Sequence, residues 1–111
     1  MTREEILNLA KTCVCGKREQ DYGSPEDNFL CIANLWNDYL YSGLSFEEVP
    51  KYLTPTDVAM MMALLKVARI RNGGGTGDSF VDLAGYAACG GELCTGGKKD
   101  NRWGLDDDDK K

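Results

Sequence analysis

Histidine is absent from this 111-residue sequence. Its absence weighs against zinc sites and histidine-based catalysis, because histidine is the commonest metal ligand and a frequent general base. Five cysteines remain, and the close pairs Cys13/Cys15 and Cys89/Cys94 do not have the two-residue gap of a zinc knuckle. We therefore expect reduced thiols that are mostly packed, as is usual for intracellular cysteines.

Long apolar runs are also missing. No run approaches the roughly 18 residues that a membrane span requires, and Met1-Thr2-Arg3-Glu4-Glu5 lacks the character of a signal peptide. The 13 basic and 18 acidic residues give a net charge of −5. This charge disfavours duplex nucleic acid as a ligand, because phosphate binding depends on clustered lysine and arginine. The sequence predicts a cytoplasmic protein that binds neither a membrane nor duplex nucleic acid.

The chain is short, and 42% of its residues are hydrophobic. One domain is expected, but a chain of this size can only marginally bury its own core, so we also expect a homo-oligomer. We place the single helical domain at residues 1–95 and a flexible acidic tail at 96–111. The string from Asp106 to Lys110 also spells a protease site used in expression tags, so this end is either part of a tag or a natural acidic terminus.

Strand patterns are absent, since no stretch alternates apolar and polar residues for long. Helix-start signals recur instead, in which a side-chain oxygen accepts a free N–H group of the first turn. They stand at Thr2, at Ser24-Pro25, at Thr54-Pro55, and at Asp78 or Ser79. The sequence therefore predicts an all-α fold with four main helices and a short turn near residues 45–48.

The second and third predicted helices differ in the spacing of their apolar residues. In the second helix these residues form one stripe at three- and four-residue steps: Phe29, Ile32, Leu35, Trp36, Tyr39 and Leu40. The third helix, at residues 58–70, is apolar nearly all round until Lys66. Such a helix must be surrounded, so we expect it to be central to the fold or to a subunit interface.

Two sets of charged residues are candidates for ligand chemistry. Asp78 and Asp82 lie four residues apart, so both carboxylates can project from one helix face and hold Mg²⁺. The alternative is a helix cap and a solvated or ion-paired aspartate. Lys66 and Arg69 lie at the polar end of the third helix. They either contact a phosphate or pair with acids of the chain, and Arg69 with Asp82 is the natural pair.

Aromatic and glycine residues complete the candidates. Arg18 and Tyr22 precede the second helix, Asn28 and Trp36 follow, and with Tyr86 they could clamp a base and its phosphate. The alternative is that Tyr22-Gly23 forms a packed turn. The glycine-rich loop 73–77 could offer backbone N–H groups to an anion, or it simply ends one helix and turns the chain. We therefore predict a nucleotide-sized anionic ligand at the turn between the third and fourth helices.

These residues form a longer pattern that resembles a family of small phage and prophage proteins. The resemblance covers about residues 1–92. Its motifs are Arg18, Tyr22-Gly23-Ser24-Pro25, Asn28-Phe29, Ile32-Ala33, Trp36, Leu53-Thr54-Pro55, Asp57-Val58-Ala59-Met60-Met61-Met62, Leu65-Lys66, Ala68-Arg69, Asp78, Val81-Asp82 and Gly85-Tyr86. That family is classed as a domain of unknown function. The resemblance implies a protein of the cytoplasm of an infected or lysogenic bacterium.

More distantly, the third helix followed by an aspartate-rich helix is similar to MazG-like all-α nucleotide pyrophosphohydrolases. Those enzymes hold magnesium with Glu-x-x-Glu and Glu-x-x-Asp motifs; the first has no clear counterpart here, and Asp78 and Asp82 have a different spacing. The resemblance and the candidate residues favour binding of a nucleotide or a nucleotide-derived signal, such as a cyclic immune signal of the host, in evasion of host defence. Two alternatives stay open: a Mg²⁺-dependent pyrophosphohydrolase of MazG-like type, and a structural or host-protein-interaction protein without a ligand.

Overall fold

The computed structural model describes residues 1–16, 23–74 and 76–98. Within these ranges the chain forms four α-helices and no strand, which confirms the predicted all-α fold. The helices are α1 (Arg3–Cys15), α2 (Pro25–Tyr41), α3 (Pro55–Arg69) and α4 (Gly77–Thr95). A 3₁₀ turn, Phe46–Glu48, precedes α3, and a π turn, Ile70–Gly74, follows it. No helix in the described ranges has the length and apolar character that crossing a membrane requires.

Three helices begin at their predicted caps. Thr2 and Ser24 each accept a hydrogen bond from a backbone N–H group of the first turn, at 3.1 and 3.2 Å. Thr54 and Asp57 form a complete capping box, in which each side chain accepts a hydrogen bond from the other's backbone N–H group. Local side-chain chemistry therefore sets the starts of α1, α2 and α3.

The start of α4 differs from the prediction. Its N-cap is Thr76, whose side chain makes no capping hydrogen bond, and the helix begins at Gly77. The predicted caps, Asp78 and Ser79, are wrong because both residues already lie inside the first turn. Gly73 adopts the left-handed conformation with φ of 85°, so this glycine turns the chain between α3 and α4.

The core lies where α2, α3 and α4 meet. It is a cluster of five buried residues, Phe29, Ala33, Val58, Ala59 and Cys89. Helix α3 contacts both α2 and α4, and α4 also contacts α1. One half-buried side chain, Asn37, fixes the end of α2 to the start of α3: its amide donates to the Leu53 carbonyl oxygen at 3.0 Å and accepts from the Leu53 N–H group at 2.7 Å.

Two glycines let the neighbours of α4 approach closely. A Cβ atom at Gly85 would lie 3.1 Å from Cγ1 of Val14 on α1, and one at Gly90 would lie 3.3 Å from Cβ of Ala59 on α3. Both separations are shorter than the roughly 3.5–4.0 Å at which carbon atoms pack best. Side chains at these two positions would therefore push α1 or α3 away from α4.

Many large apolar side chains stay exposed. The predicted stripe of α2 is buried at Phe29, but Leu35 is 61% exposed and Tyr39 is 86% exposed. On α3 the side opposite the core carries five large apolar residues that are each 42–63% exposed: Met60, Met61, Leu64, Leu65 and Val67. Among the residues that the structure describes, α3 is therefore covered on one side only.

Replacing Gly90 by leucine should lower the free energy of unfolding by about 1–3 kcal/mol, because the new side chain would meet Ala59 and force α3 from α4. The matched control is Gly91→Leu, since a Cβ atom at Gly91 meets no other residue. This control should leave stability unchanged or raise it slightly, because leucine favours helix more than glycine does. Urea unfolding followed by circular dichroism measures both, and equal effects would contradict the close approach at Gly90.

A second prediction concerns pH. The hydrogen bond from Lys51, followed by that from the Thr54 backbone N–H group, lowers the pKa of Asp57 below its ordinary value. A carboxyl group with a lowered folded-state pKa stabilises the fold above its unfolded-state pKa, and this stabilisation is lost as the pH falls through the folded-state pKa. Asp57→Asn should thus cost about 1 kcal/mol at pH 7. The difference from wild type should shrink below about pH 4.

Urea unfolding at a series of pH values measures this difference. Asp38→Asn, at an exposed position of α2, is the control and should match wild type at neutral pH. A deficit in Asp57→Asn that stays constant from pH 7 to pH 3 would show that the charge of Asp57 does not stabilise the fold.

Candidate functional site

A cleft opens where α1, α2 and α4 meet. The enclosed part of the cleft has a volume of about 30 Å³, and the rest of it is open to solvent. The lining residues come from the end of α1, the start of α2 and the middle of α4: Cys13, Val14, Gly23, Pro25, Asn28, Phe29, Val81, Asp82, Gly85, Tyr86 and Cys89. Three separate parts of the sequence therefore build it.

Most of the cleft wall is apolar. The rings of Phe29 and Tyr86 have centroids 6.4 Å apart and are inclined by 35° to each other. Val14 and Val81 add aliphatic surface, and Gly85 lets α1 close one side of the cleft. A wall of aromatic and aliphatic groups suits the flat face of an organic ring.

Two polar side chains interrupt this wall. Asn28, near the start of α2, contributes a half-buried amide, and Asp82 on α4 contributes a carboxylate. Oδ2 of Asp82 lies 3.0 Å from Nζ of Lys66 on α3, and the Lys66 side chain is only 16% exposed. This ion pair holds the carboxylate in place, while a carboxylate has further acceptor capacity on its second oxygen.

Lys66 pairs with an acid of its own chain, which was one of the two alternatives predicted for it, while its contact with a phosphate stays a prediction. The sequence predicted Arg69 as the partner of Asp82, and this was wrong. Lys66 shares a helix face with Ala59 and Ala63, both buried on the side of α3 that packs in the core. Arg69 is the last residue of α3; it is exposed and makes no ion pair with a described residue.

Of the other predicted ligand residues, some line the cleft and others do not. Asn28 and Tyr86 line the cleft. Trp36 lies two turns further along α2 and packs against the core cluster instead. Arg18 and Tyr22 lie outside the described residues, in segment 17–22, which connects α1 to the cleft at Gly23.

The predicted magnesium pair is only partly at the cleft. Asp78 is exposed in the first turn of α4, whereas Asp82 lines the cleft and bonds Lys66. Among the residues that the structure describes, no group of three or more cysteine, aspartate or glutamate side chains is placed to hold a metal ion. Magnesium at this pair stays a prediction.

The predicted anion site at the turn between α3 and α4 is separate from the cleft. The side chain of Met1 packs over Gly77, where α4 begins. The first residue of α4 that lines the cleft is Val81, one turn later. An anion at this turn therefore stays a prediction, and it would not share the aromatic wall.

One further acid, Glu26, stands beside the cleft in the sequence. Glu26 follows the lining residue Pro25. The hydrogen bond from its own backbone N–H group lowers the pKa of Glu26, against a partial opposing effect of burial, and bonds with Ser24 and Glu92 lower it further. Glu26 itself is exposed and is not among the residues that line the cleft.

Sequence reasoning missed the contribution of α1, which is Cys13 and Val14. One signal was present, because a glycine inside an apolar helix, as at Gly85, often marks a close neighbour. Nothing in the sequence pattern says which helix that neighbour is. The lining residues of α1 could be identified only once the helices were packed.

Comparison with known proteins confirms the resemblance to phage proteins. The chain is similar to the Gene 55 protein of Mycobacterium phage D29, with 41% identity over 86 residues, and to that of Mycobacterium phage L5, with 45% over 82 residues. These matches cover 78% and 74% of this chain but 51% and 47% of the relatives, so the chain spans about half the length of the curated relatives it matches. No solved structure matches it. Residues 5–94 match the family described as a domain of unknown function, DUF6378, and the chain belongs to this family.

Proposed function

We propose that this chain binds a nucleotide or a nucleotide-derived signal, with the base in the cleft between α1, α2 and α4. The observation that carries the proposal is the combination of an aromatic wall with two polar side chains, Asn28 and Asp82, in one open cleft. Small-molecule sites in proteins are mostly apolar, with a few polar groups that fix the orientation of the ligand. This cleft has that composition.

The polar groups suit the edge of an amino-bearing base. An ionised Asp82 only accepts hydrogen bonds, and adenine, guanine and cytosine each carry an amino group that donates them. The Asn28 amide both donates and accepts, so it can pair with a ring nitrogen or a carbonyl beside that amino group. Tyr86 and Phe29 would supply aromatic surface against the ring. Uracil and thymine lack the amino donor, so we expect weaker binding of both.

The phosphates of the bound nucleotide would extend out of the cleft on the side away from Glu26. Lys66 already balances the charge of Asp82 and is mostly buried, so its role would be to orient that carboxylate. Segment 17–22 supplies Lys17 and Arg18, which are close in sequence to the lining residues of α1. Arg18 therefore stays the predicted phosphate contact, and Tyr22 a further candidate for stacking on the base.

A panel of nucleosides, nucleoside mono-, di- and triphosphates and cyclic dinucleotides tests the proposal in thermal unfolding, each with and without Mg²⁺. A ligand at a hundred times its Kd stabilises the fold by about 2.7 kcal/mol, which raises the Tm by several degrees. Compounds of adenine, guanine or cytosine should raise the Tm more than their uracil counterparts. If no compound raises it, the proposal is wrong. Phosphate or pyrophosphate release in the samples with Mg²⁺ would establish the pyrophosphohydrolase alternative.

A matched pair of variants then locates the ligand. Asn28→Ala should weaken binding about tenfold, because it removes a hydrogen bond worth about 1–1.5 kcal/mol. Asn34→Ala removes the same side chain from an exposed position of α2 and should bind as wild type does. Calorimetry measures both affinities, and circular dichroism checks the fold. Unchanged affinity of Asn28→Ala would place the ligand elsewhere.

A further inference from the structure

The outer face of α3 consists of Met60, Met61, Leu64, Leu65 and Val67. These residues lie opposite the buried side of the helix, and each is 42–63% exposed. The outward side of a helix that stands alone in water is normally polar. Five such side chains on one helix face expose on the order of 400 Å² of apolar surface, a size that commonly marks an interaction site.

Charge is confined to the two ends of this helix. Asp57 lies in the first turn, while Arg69 ends α3 and Arg71 follows it. Between them the charged residue is Lys66, and that side chain is held by Asp82 on the inner side. Both arginines are exposed and form no ion pair with any residue in the described ranges. The outer face is therefore an apolar strip with two exposed arginines at its C-terminal end, which are unpaired within the described ranges, and with Asp57, paired with Lys51 of its own chain, at the other end.

We propose that the outer face of α3 packs antiparallel against the same face of a second copy of this chain, in a two-fold symmetric dimer. A two-fold axis near Leu64 would place Asp57 of each subunit toward the C-terminal arginines of the other. The exposed arginines of the two copies would then lie at opposite ends of the interface, whereas a parallel arrangement would bring them together. A patch that is complementary to itself in this way is what a two-fold interface requires.

The size of the surface agrees with a second copy as the occupant. Two outer faces bring together on the order of 800 Å² of apolar surface, which is most of the about 1,000 Å² that a biological interface should bury. Met60 is partly exposed, but it also reaches the side of α3 that faces α4. Its sulfur would lie 3.8 Å from a Cβ atom at Gly90. The outer face is thus continuous with the core, as in obligate dimers, whose interfaces resemble a core cut in half. The inference does not depend on the proposed ligand, because no residue of the outer face lines the cleft.

The mass of the full chain in solution tests the dimer, measured by sedimentation at about 1–100 µM. The wild type should have twice the chain mass of 12.2 kDa. Leu64→Glu should give the monomer mass, with Kd raised about a hundredfold or more, because two like charges would meet at the two-fold axis. The control is Leu35→Glu on α2, whose native side chain is 61% exposed against 63% for Leu64. This control should remain a dimer.

Three results would overturn the proposal: a monomeric wild type at 100 µM, a Leu64→Glu protein that stays dimeric, or equal dissociation by Leu35→Glu. A monomeric wild type would leave a different protein as the occupant of this face. Circular dichroism must show unchanged helix content, which is expected because Leu64 is already largely exposed. Nucleotide binding is also measured on the Leu64→Glu monomer. Binding by this monomer would separate a wrong proposal for the dimer from a wrong proposal for the nucleotide site in the cleft.

A second variant tests the orientation of the two helices. Arg71→Glu should raise the dimer Kd about tenfold, because it places a like charge toward Asp57 of the partner subunit. Arg3→Glu makes the same charge change at an exposed position of α1 and should have little effect. If the two variants have the same Kd, the antiparallel arrangement is wrong.

Discussion

The close approach of α1 and α3 to α4 is the constraint on which the rest of this structure depends. Gly85 and Gly90 leave space on α4 into which Val14 and Ala59 fit. The approach of α1 closes one side of the cleft, and the approach of α3 brings Lys66 within 3.0 Å of Asp82. At this distance the lysine donates a charge-assisted hydrogen bond to the carboxylate. The close packing that these two glycines allow therefore places the Lys66–Asp82 ion pair at the cleft.

The features that could be predicted from the sequence are those that nearby residues decide. The capping residues Thr2, Ser24 and Thr54 bond to groups three residues away, so their spacing alone predicted the starts of three helices. The start of α4 was predicted wrongly because Asp78 and Ser79 are good capping residues, but Gly77 already adopts helical geometry. A cap two residues too late is the kind of error that local chemistry alone cannot correct.

The features that could not be predicted depend on which helix packs against which. Lys66 and Arg69 are equally good partners for Asp82 in the sequence, and only the packed helices show that Lys66 is the one that pairs with it. Asn28 and Tyr86 were correctly grouped as candidates, but their common cleft includes Val14 from a helix that gave no signal of its own. Trp36 was grouped with them because of its chemistry, and its distance along α2 places it against the core cluster.

Helix α3 connects the cleft with the outer face at which we propose the dimer. Its inner side carries Lys66, which holds the carboxylate of Asp82 at the cleft, while Leu64 and Leu65 stand on its exposed side. A rigid helix cannot rotate one side without the other, so a partner packed on the outer face would also restrict Lys66. Any such coupling must be reciprocal: a ligand that requires the Lys66–Asp82 pair would strengthen the dimer by the same factor by which the dimer strengthens ligand binding. The ion pair is therefore a contact through which the proposed dimer and the proposed nucleotide site would influence each other.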